Sequence, residues 1–388
     1  MDAHAEIARA IDNYRDKAVA LSHEIHEHPE LKFQEHFAAG ILTKAATELG
    51  LEVEREVGGL KTAFRAEFGT KGPTVAILAE YDALPNGHSC GHNLIAGAAL
   101  SAIAGLKSVA SKIPGRIVFL GTPAEEGGSG KIILIDNGAL RGVDAAMMAH
   151  PTDSEYCTMP ALATQHLKLT FHGHGAHAAL APWDGSSALT AVIQTFQSVD
   201  AMRLHLRDGS RIHGIITDGG QAVNIIPERA ECLFLARAKT SKYAKEIGAR
   251  VIRCAEAAAM ATGTQVEHIV EGAYKNLINN LSMAHRYAAH TEALGVKSVE
   301  APENTPTGST DMGDVSHVMP AIHPSFAISR RGEGNCHEDA FVAHADSKCG
   351  YDAMIRVAKA MALTAYDLLA EPALLAAAKK EFDARKES

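Results

Sequence analysis

Three apolar runs in this chain end in residues that can bind a metal or move a proton. ILAEYDALP delivers Glu80 and Asp82, VFLGTPAEEGG delivers Glu125 and Glu126, and AMMAHP delivers His150. In open α/β sheets ligands bind in the crevice beyond the carboxyl ends of the strands, so all three ends would converge there. A single acidic strand end reads as a solvated loop; three together, one with adjacent carboxylates, read as a site. Between the first two runs, GHSCGHN sets Cys90 and His92 two residues apart on a glycine-flanked loop. That pair is too close to form two corners of a structural zinc site without a second pair, and the chain has no CxxC. The two side chains can instead add a thiolate and an imidazole to ligands from the strand ends, the bland alternative being a buried inert thiol and a loop histidine. Adjacent Glu125 and Glu126 repel each other, which raises one pKa. A cation removes the difficulty, one carboxylate binding it while the other acts as general base toward a water. His174 and His177 in HGHGAHAA read on sequence alone equally well as solvated histidines, and His337, in the Gly/Asn loop of GNCHEDAF, carries little by itself.

The elements that must position these groups follow from apolar periodicity. Amphipathic helices are expected over about 3–26 and 35–49, the second closed by Gly50. Buried, mostly parallel strands are expected at 74–78, 116–120 and 145–148, with helical stretches between them. The period then switches to two from Gln165, again at 230–236 and at 265–270, the pattern of half-exposed strands. Helical segments 186–206 and 241–262 intervene, and two helices on one antiparallel sheet make an α+β layer of its own. After about Leu281 the chain returns to helices and one apolar strand at 325–328. The expected fold is α/β: a mixed, mainly parallel sheet flanked by helices in a catalytic domain of residues 1–164 and 281–388, interrupted by an inserted α+β lid at 165–280.

Composition narrows the function class. At roughly 150 residues per domain, 388 residues suggest about two or three folding units. The 37 Lys and Arg against 46 Asp and Glu give a net charge of −9, with no basic block that would grip nucleic acid. The run at 94–106 falls short of the roughly 20 residues that span a bilayer and reads as a buried helix. The first residues carry both charge signs and no apolar core, so no secretory signal is expected and the cytoplasm is the default. Six cysteines without CxxC fit no disulfide framework, whereas 21 histidines are an excess of the commonest transition-metal ligand. HEIH at 23–26 lacks a residue for HExxH, and EEGGSGK fails GxxxxGK[ST] because Glu125 stands at the first glycine and Ile132 follows the lysine.

The ordered set HPEL (28–31), AEYDALP (79–85), GHSCGHN (87–93), TPAEEGG (122–128), AHP (149–151), GHGAHAA (173–179), VNIIPE (223–228), GSTDMGDVS (308–316) and His337 resembles the clan-MH metallopeptidases. Within them it is similar to the amidohydrolase branch of aminoacylases, hippurate hydrolase, auxin-conjugate hydrolases, p-aminobenzoyl-glutamate hydrolase and Xaa-Arg/β-alanyl-lysine dipeptidases. AEYDALP, CGHN and GSTDMGDVSH point to the aminobenzoyl-glutamate and dipeptidase members. The resemblance implies two divalent metals held by Cys90, His92, Glu126, His150 and His337, with Glu125 as general base. It implies that His177 is a catalytic histidine of the lid, reaching a neighbouring subunit's site in dimeric relatives. Asn224, Ser309, Thr310 and Arg237 match positions that hold the substrate's carboxylate end. Where carboxypeptidase members carry a His-x-Asp ligand, this chain has Glu80-Tyr81-Asp82, so Glu80 and Asp82 are expected to orient ligands. A thiolate with imidazoles favours Zn²⁺, with Mn²⁺, Co²⁺ or Ni²⁺ also compatible. The implied activity is hydrolysis of an N-acyl amino acid or dipeptide-like amide bearing a free C-terminal carboxylate, by a homodimer that joins through the lid and engages neither nucleic acid nor membrane. The competing readings are a hydrolase with Cys90 as nucleophile and His92 as base, for which two residues of separation is poor geometry, and a non-catalytic homologue, which would have lost site residues.

Overall fold

The computed structural model describes residues 2–386, which divide into two compact units. Of these, the first comprises residues 2–160, 277–306 and 314–386, and the second residues 161–276 and 307–313.

The first unit is built on a six-stranded sheet in the order Glu52–Arg55, Phe64–Gly69, Arg116–Gly121, Thr74–Ala79, Ala145–Met147, Ala321–Ile322. The first two pairings are antiparallel and the remaining three parallel. All six residues of Thr74–Ala79 are buried, as expected of a central strand covered on both faces. The apolar run at 94–106 lies in the helix His92–Ser108, whose residues 92–106 are all buried. Ala3–Glu27 and Lys348–Ala370 pack on that helix, and close approach depends on small residues: a Cβ on Gly105 would lie 2.6 Å from Ile11 Cγ1. Ile7, Ile11, Leu100, Ile103, Phe119 and Met354 belong to the resulting core. Among the described residues no single helix is long and apolar enough to cross a membrane. A smaller sheet is ordered Val299–Glu300, Tyr156–Thr158, Ser325–Ala327, His150–Thr152.

The second unit is an antiparallel sheet ordered Gln265–Gly272, Ala163–His172, Arg229–Ala238, Arg211–Asp218. Arg229–Ala238 alternates strictly between buried and less buried positions. The helices Ala188–Met202 and Ser241–Thr262 cover one face with Val192, Ile247 and Val251, packed on Leu167, Leu169 and Phe234. Both begin at a hydroxyl cap, Ser187 accepting from Thr190 N–H and Thr240 from Tyr243 N–H.

Two differences from the sequence reading have physical causes. Residues 307–313 sit in the second unit, where Leu162 N–H donates to Gly308 O at 2.9 Å and Arg237 Nη1 donates to Ser309 Oγ at 2.7 Å. That stretch carries no periodicity from which its packing can be read. The strand Arg211–Asp218 is also new. It is an edge strand with one buried residue, so it has no apolar alternation to find.

Candidate metal centre

The carboxyl ends of the parallel strands build the site. Thr74–Ala79 runs directly into Glu80 and Asp82, and Arg116–Gly121 leads to the turn Glu125–Gly128. Ala145–Met147 leads to His150, and Ala321–Ile322 to His323. The thiolate loop reaches the same place because Gly91 turns the chain between Cys90 and His92 at φ 68°, with Pro151 Cγ only 2.7 Å from where a Cβ would stand. Three non-glycine residues around the site also hold positive φ: Ala124 at 61°, Ser129 at 60° and His337 at 76°. Strained backbone of this kind persists where surrounding contacts over-determine it.

Those contacts are specific. Glu35, wholly buried, accepts Ala124 N–H at 2.9 Å through Oε1 and the Thr62 hydroxyl at 2.7 Å through Oε2, clamping the turn that presents Glu125. Burial pushes the Glu35 carboxyl up to about 7, against the lowering effect of the Thr62 hydrogen bond. On the other side of the turn, Glu126 N–H donates to Asp82 Oδ2 at 2.9 Å.

His92, Glu80 and Asp82 have no exposed side-chain surface. His92 Nδ1 lies 3.2 Å from Asp82 Oδ1, and this pairing turns Nε2 inward, 3.3 Å from Glu80 Oε1 and 4.0 Å from Glu126 Oε1. His150 Nδ1 donates to Pro151 O at 2.8 Å, which likewise commits that nitrogen and leaves Nε2 for another partner. His337 Nε2 lies 3.5 Å from Glu126 Oε1. Cys90, His92 and Glu126 bring one ligand atom each within 4.8 Å of one another, as do Glu80, His92 and His150, and Cys90, His150 and Cys336.

Opposite charges at this site are strongly coupled. Burial disfavours the His92 imidazolium, but Glu80 and Asp82 push its pKa well above the usual imidazole range. Burial raises the Glu126 carboxyl, yet His337, His92 and Cys90 hold it at about 2. Glu80 Oε1, His92 Nε2 and Glu126 Oε1 are nevertheless buried without a hydrogen-bond partner. Orphaned buried polar atoms cost several kcal/mol unless something pairs with them, and carboxylate, imidazole and thiolate are the donor set of a divalent transition metal. The residues present therefore fit a metal. Glu125 is buried beside them.

The remaining expected residues lie in the second unit. His177 is exposed, and its Nδ1 accepts Ala179 and Leu180 N–H at 3.2 and 3.3 Å. Asn224 is exposed, with its carbonyl bound to Ala178 N–H. Arg237 and Ser309 meet directly, while the Thr310 hydroxyl accepts Met312 N–H at 3.2 Å. Four residues escaped the sequence reading. Lys131 pairs with Glu80 Oε2 at 2.6 Å, both side chains being fully buried, and Glu35 clamps the turn. His323 places its ring 5.6 Å from that of His150, and Cys336 Sγ comes within 4.8 Å of Cys90 Sγ. Two of them were signalled: His323 follows a parallel strand as His150 does, and Cys336 immediately precedes His337.

The sequence pattern of "Peptidase family M20/M25/M40" matches residues 76–364. The Xaa-Arg dipeptidase of Mus musculus is 38% identical over 398 residues, spanning 97% of this chain and 91% of that protein. A p-aminobenzoyl-glutamate hydrolase polypeptide of Escherichia coli K12 is 30% identical over 451 residues, spanning 96% of this chain and 93% of that protein. Among solved structures, a Bacillus subtilis protein described as a dinuclear metal binding peptidase from the M20 family superposes with a TM-score of 0.73 at 20% identity, covering 92% of this chain and 99% of that one. An aminobenzoyl-glutamate utilization protein from Klebsiella pneumoniae gives 0.75 at 18%, covering 94% and 99%. The strand-end site, the family pattern across it and near full-length identity of 30% or more agree: the chain belongs to the M20/M25/M40 peptidase family, as a hydrolase of amide bonds.

Proposed function

We propose that the protein hydrolyses the amide of a dipeptide or N-acyl amino acid with a free C-terminal carboxylate, using two divalent metals in the first unit. The observation that carries this reading is the convergence of three orphaned buried atoms, on Glu80, His92 and Glu126, next to Cys90 and His150. Cys90, His92, Glu126, His150 and His337 would hold the metals, and Zn²⁺ suits a donor set of thiolate, imidazole and carboxylate. When bound, such ions acidify the attacking water and polarise the scissile carbonyl.

The chain's own groups supply the rest. Asp82 holds His92 in the tautomer that keeps Nε2 available. Glu35 and Asp82 grip the turn from two sides so that Glu125 can take the proton from water and return it to the leaving amine. His177 is assigned to the carbonyl oxygen as negative charge develops there. Asn224, Thr310 and the Arg237–Ser309 pair are assigned to the substrate's carboxylate, for which a guanidinium and hydroxyls are suitable partners. The relatives named for Xaa-Arg and p-aminobenzoyl-glutamate substrates support a small substrate of this type. A homodimer joined through the second unit and a cytoplasmic location, where Cys90 stays reduced, complete the proposal.

Dialysis against a chelator followed by a panel of dipeptides and N-acyl amino acids, with liberated amine as readout, tests it. Activity should vanish on metal removal and return with Zn²⁺, two ions per chain. Activity that survives in metal-free protein removes the proposal.

A further inference from the structure

We infer that Cys336 is a second sulfur donor to the metal held by Cys90 and His150. The inference rests on the dinuclear reading above and adds a residue to it. Sγ of Cys90, Sγ of Cys336 and a ring nitrogen of His150 lie within 4.8 Å of one another. Ligands at about 2.0–2.3 Å around one tetrahedral ion stand about 3.3–3.8 Å apart, so this trio is already close to a coordination shell.

The position of Cys336 is built rather than incidental. His337 N–H donates to Ser89 O at 2.9 Å, tying the turn at 335–338 to the loop that carries Cys90. The positive φ of His337 reverses the chain immediately after Cys336. Cys336 Sγ lies 3.7 Å from Pro151 O, the carbonyl that also receives His150 Nδ1, so the two side chains are anchored on one backbone group. The neighbouring donors make a ligand, rather than a packing role, the economical reading: Glu126 Oε1 and His92 Nε2 are buried and make no hydrogen bond, and their residues form with Cys90 a trio whose ligand atoms lie within 4.8 Å of one another. His337, by contrast, keeps 63% of its side chain exposed and reaches toward Glu126. Two thiolates and an imidazole form a softer set than one thiolate, which favours Zn²⁺ over Mn²⁺ at this position.

Cobalt substitution reads this out directly, because thiolate-to-Co²⁺ charge transfer absorbs in the near ultraviolet and scales with the number of sulfur ligands. Metal-free protein, reduced and reloaded with Co²⁺, is compared with Cys336→Ser, Cys336→Ala and Cys90→Ser, each matched to wild type by far-ultraviolet circular dichroism. The expected result is loss of about half the band in either Cys336 variant. An undiminished band in a folded Cys336 variant, with the band reduced in Cys90→Ser, overturns the inference and leaves the dinuclear reading standing. A cobalt-loaded wild type with no thiolate band overturns both. Should the variants fail to fold, alkylation of the wild type decides: Zn²⁺ must protect Cys336 from iodoacetamide, and equal labelling with and without Zn²⁺ overturns the assignment.

Discussion

Asp82 and His92 form a wholly buried pair, Oδ1 of the aspartate lying 3.2 Å from Nδ1 of the histidine. The same carboxylate receives Glu126 N–H on its second oxygen at 2.9 Å. One side chain thus fixes both the tautomer of an imidazole and the backbone of a carboxylate that faces it, and its burial lets it do so without competition from water. Burial raises the Asp82 pKa, and the His92 hydrogen bond and charge more than reverse this, keeping it ionised. Asp82→Asn should weaken metal binding about 10–100-fold, the range for a lost partner of a ligating histidine, measured by chelator competition. Unchanged affinity would show that His92 orients itself without help.

Glu125 and Glu126 are sequence neighbours with different expected roles, and substitution separates them. Glu125→Gln should lower kcat by about 10²–10⁴-fold while metal content stays at that of the wild type. Glu126→Gln should lower metal content as well. Elemental analysis beside steady-state kinetics checks both, and a fully active Glu125→Gln variant would take Glu125 out of the mechanism.

Metal should also act on stability. A cation that pairs with Glu80 Oε1, His92 Nε2 and Glu126 Oε1 binds only the folded chain, so it stabilises by mass action, about 4 kcal/mol at a thousandfold excess over Kd. Differential scanning calorimetry should therefore show a Tm that climbs with Zn²⁺ concentration and falls with chelator. A Tm indifferent to both would mean that these atoms find another partner.

How much of this was legible depends on whether a residue's role is local. The strand 74–78 and the buried run at 94–106 declare themselves through apolar runs, and the chemistry at their ends follows from the general behaviour of parallel sheets. Glu35 lies 89 residues from the Ala124 N–H it accepts, and nothing near it in sequence marks a buried carboxylate. Lys131 stands in EEGGSGK only as the lysine of a failed phosphate-loop match, and only the fold reveals that it points inward onto Glu80. Residues 307–313 join the second unit through Leu162 and Arg237, pairings that neither composition nor periodicity announces.

The first unit carries an acid-sensitive clasp. Asp367, with 2% of its side chain exposed, receives His290 at 2.8 Å, Arg286 at 2.6 Å and His4 at 2.6 Å, and so joins three helices. Burial pushes its pKa up, but these partners hold it at about 2. Because the folded value lies below that of the unfolded chain, near 3.9, the contribution is complete above about pH 5 and disappears as pH falls toward 2. Its size is on the order of 2 kcal/mol. Asp367→Asn should lower the denaturant midpoint at pH 7 and flatten the loss of stability between pH 5 and pH 3. Parallel pH curves for the two proteins would exclude Asp367 as the source.

Lys131 and Glu80 form an ion pair with no exposed side-chain surface on either partner, N to O at 2.6 Å. Burial raises the Glu80 carboxyl, yet Lys131 and His92 hold it below its usual value, so a full negative charge sits inside the first unit. Removing the lysine leaves that buried charge with His92 as its principal partner, and the cost of breaking a buried pair is about 3–5 kcal/mol. Replacing both by neutral groups of similar volume removes the unpaired charge together with the pair, which is often nearly neutral for stability. Lys131→Met should therefore destabilise strongly, and Lys131→Met with Glu80→Gln should recover much of the loss. The double variant should nonetheless bind metal more weakly than wild type, since Glu80 Oε1 lies 3.3 Å from His92 Nε2 and its charge favours a cation there. Urea unfolding of the single and double variants, with metal affinity measured on the double, checks both halves. A double variant as unstable as Lys131→Met alone would mean that Lys131 acts through packing rather than through the charge on Glu80.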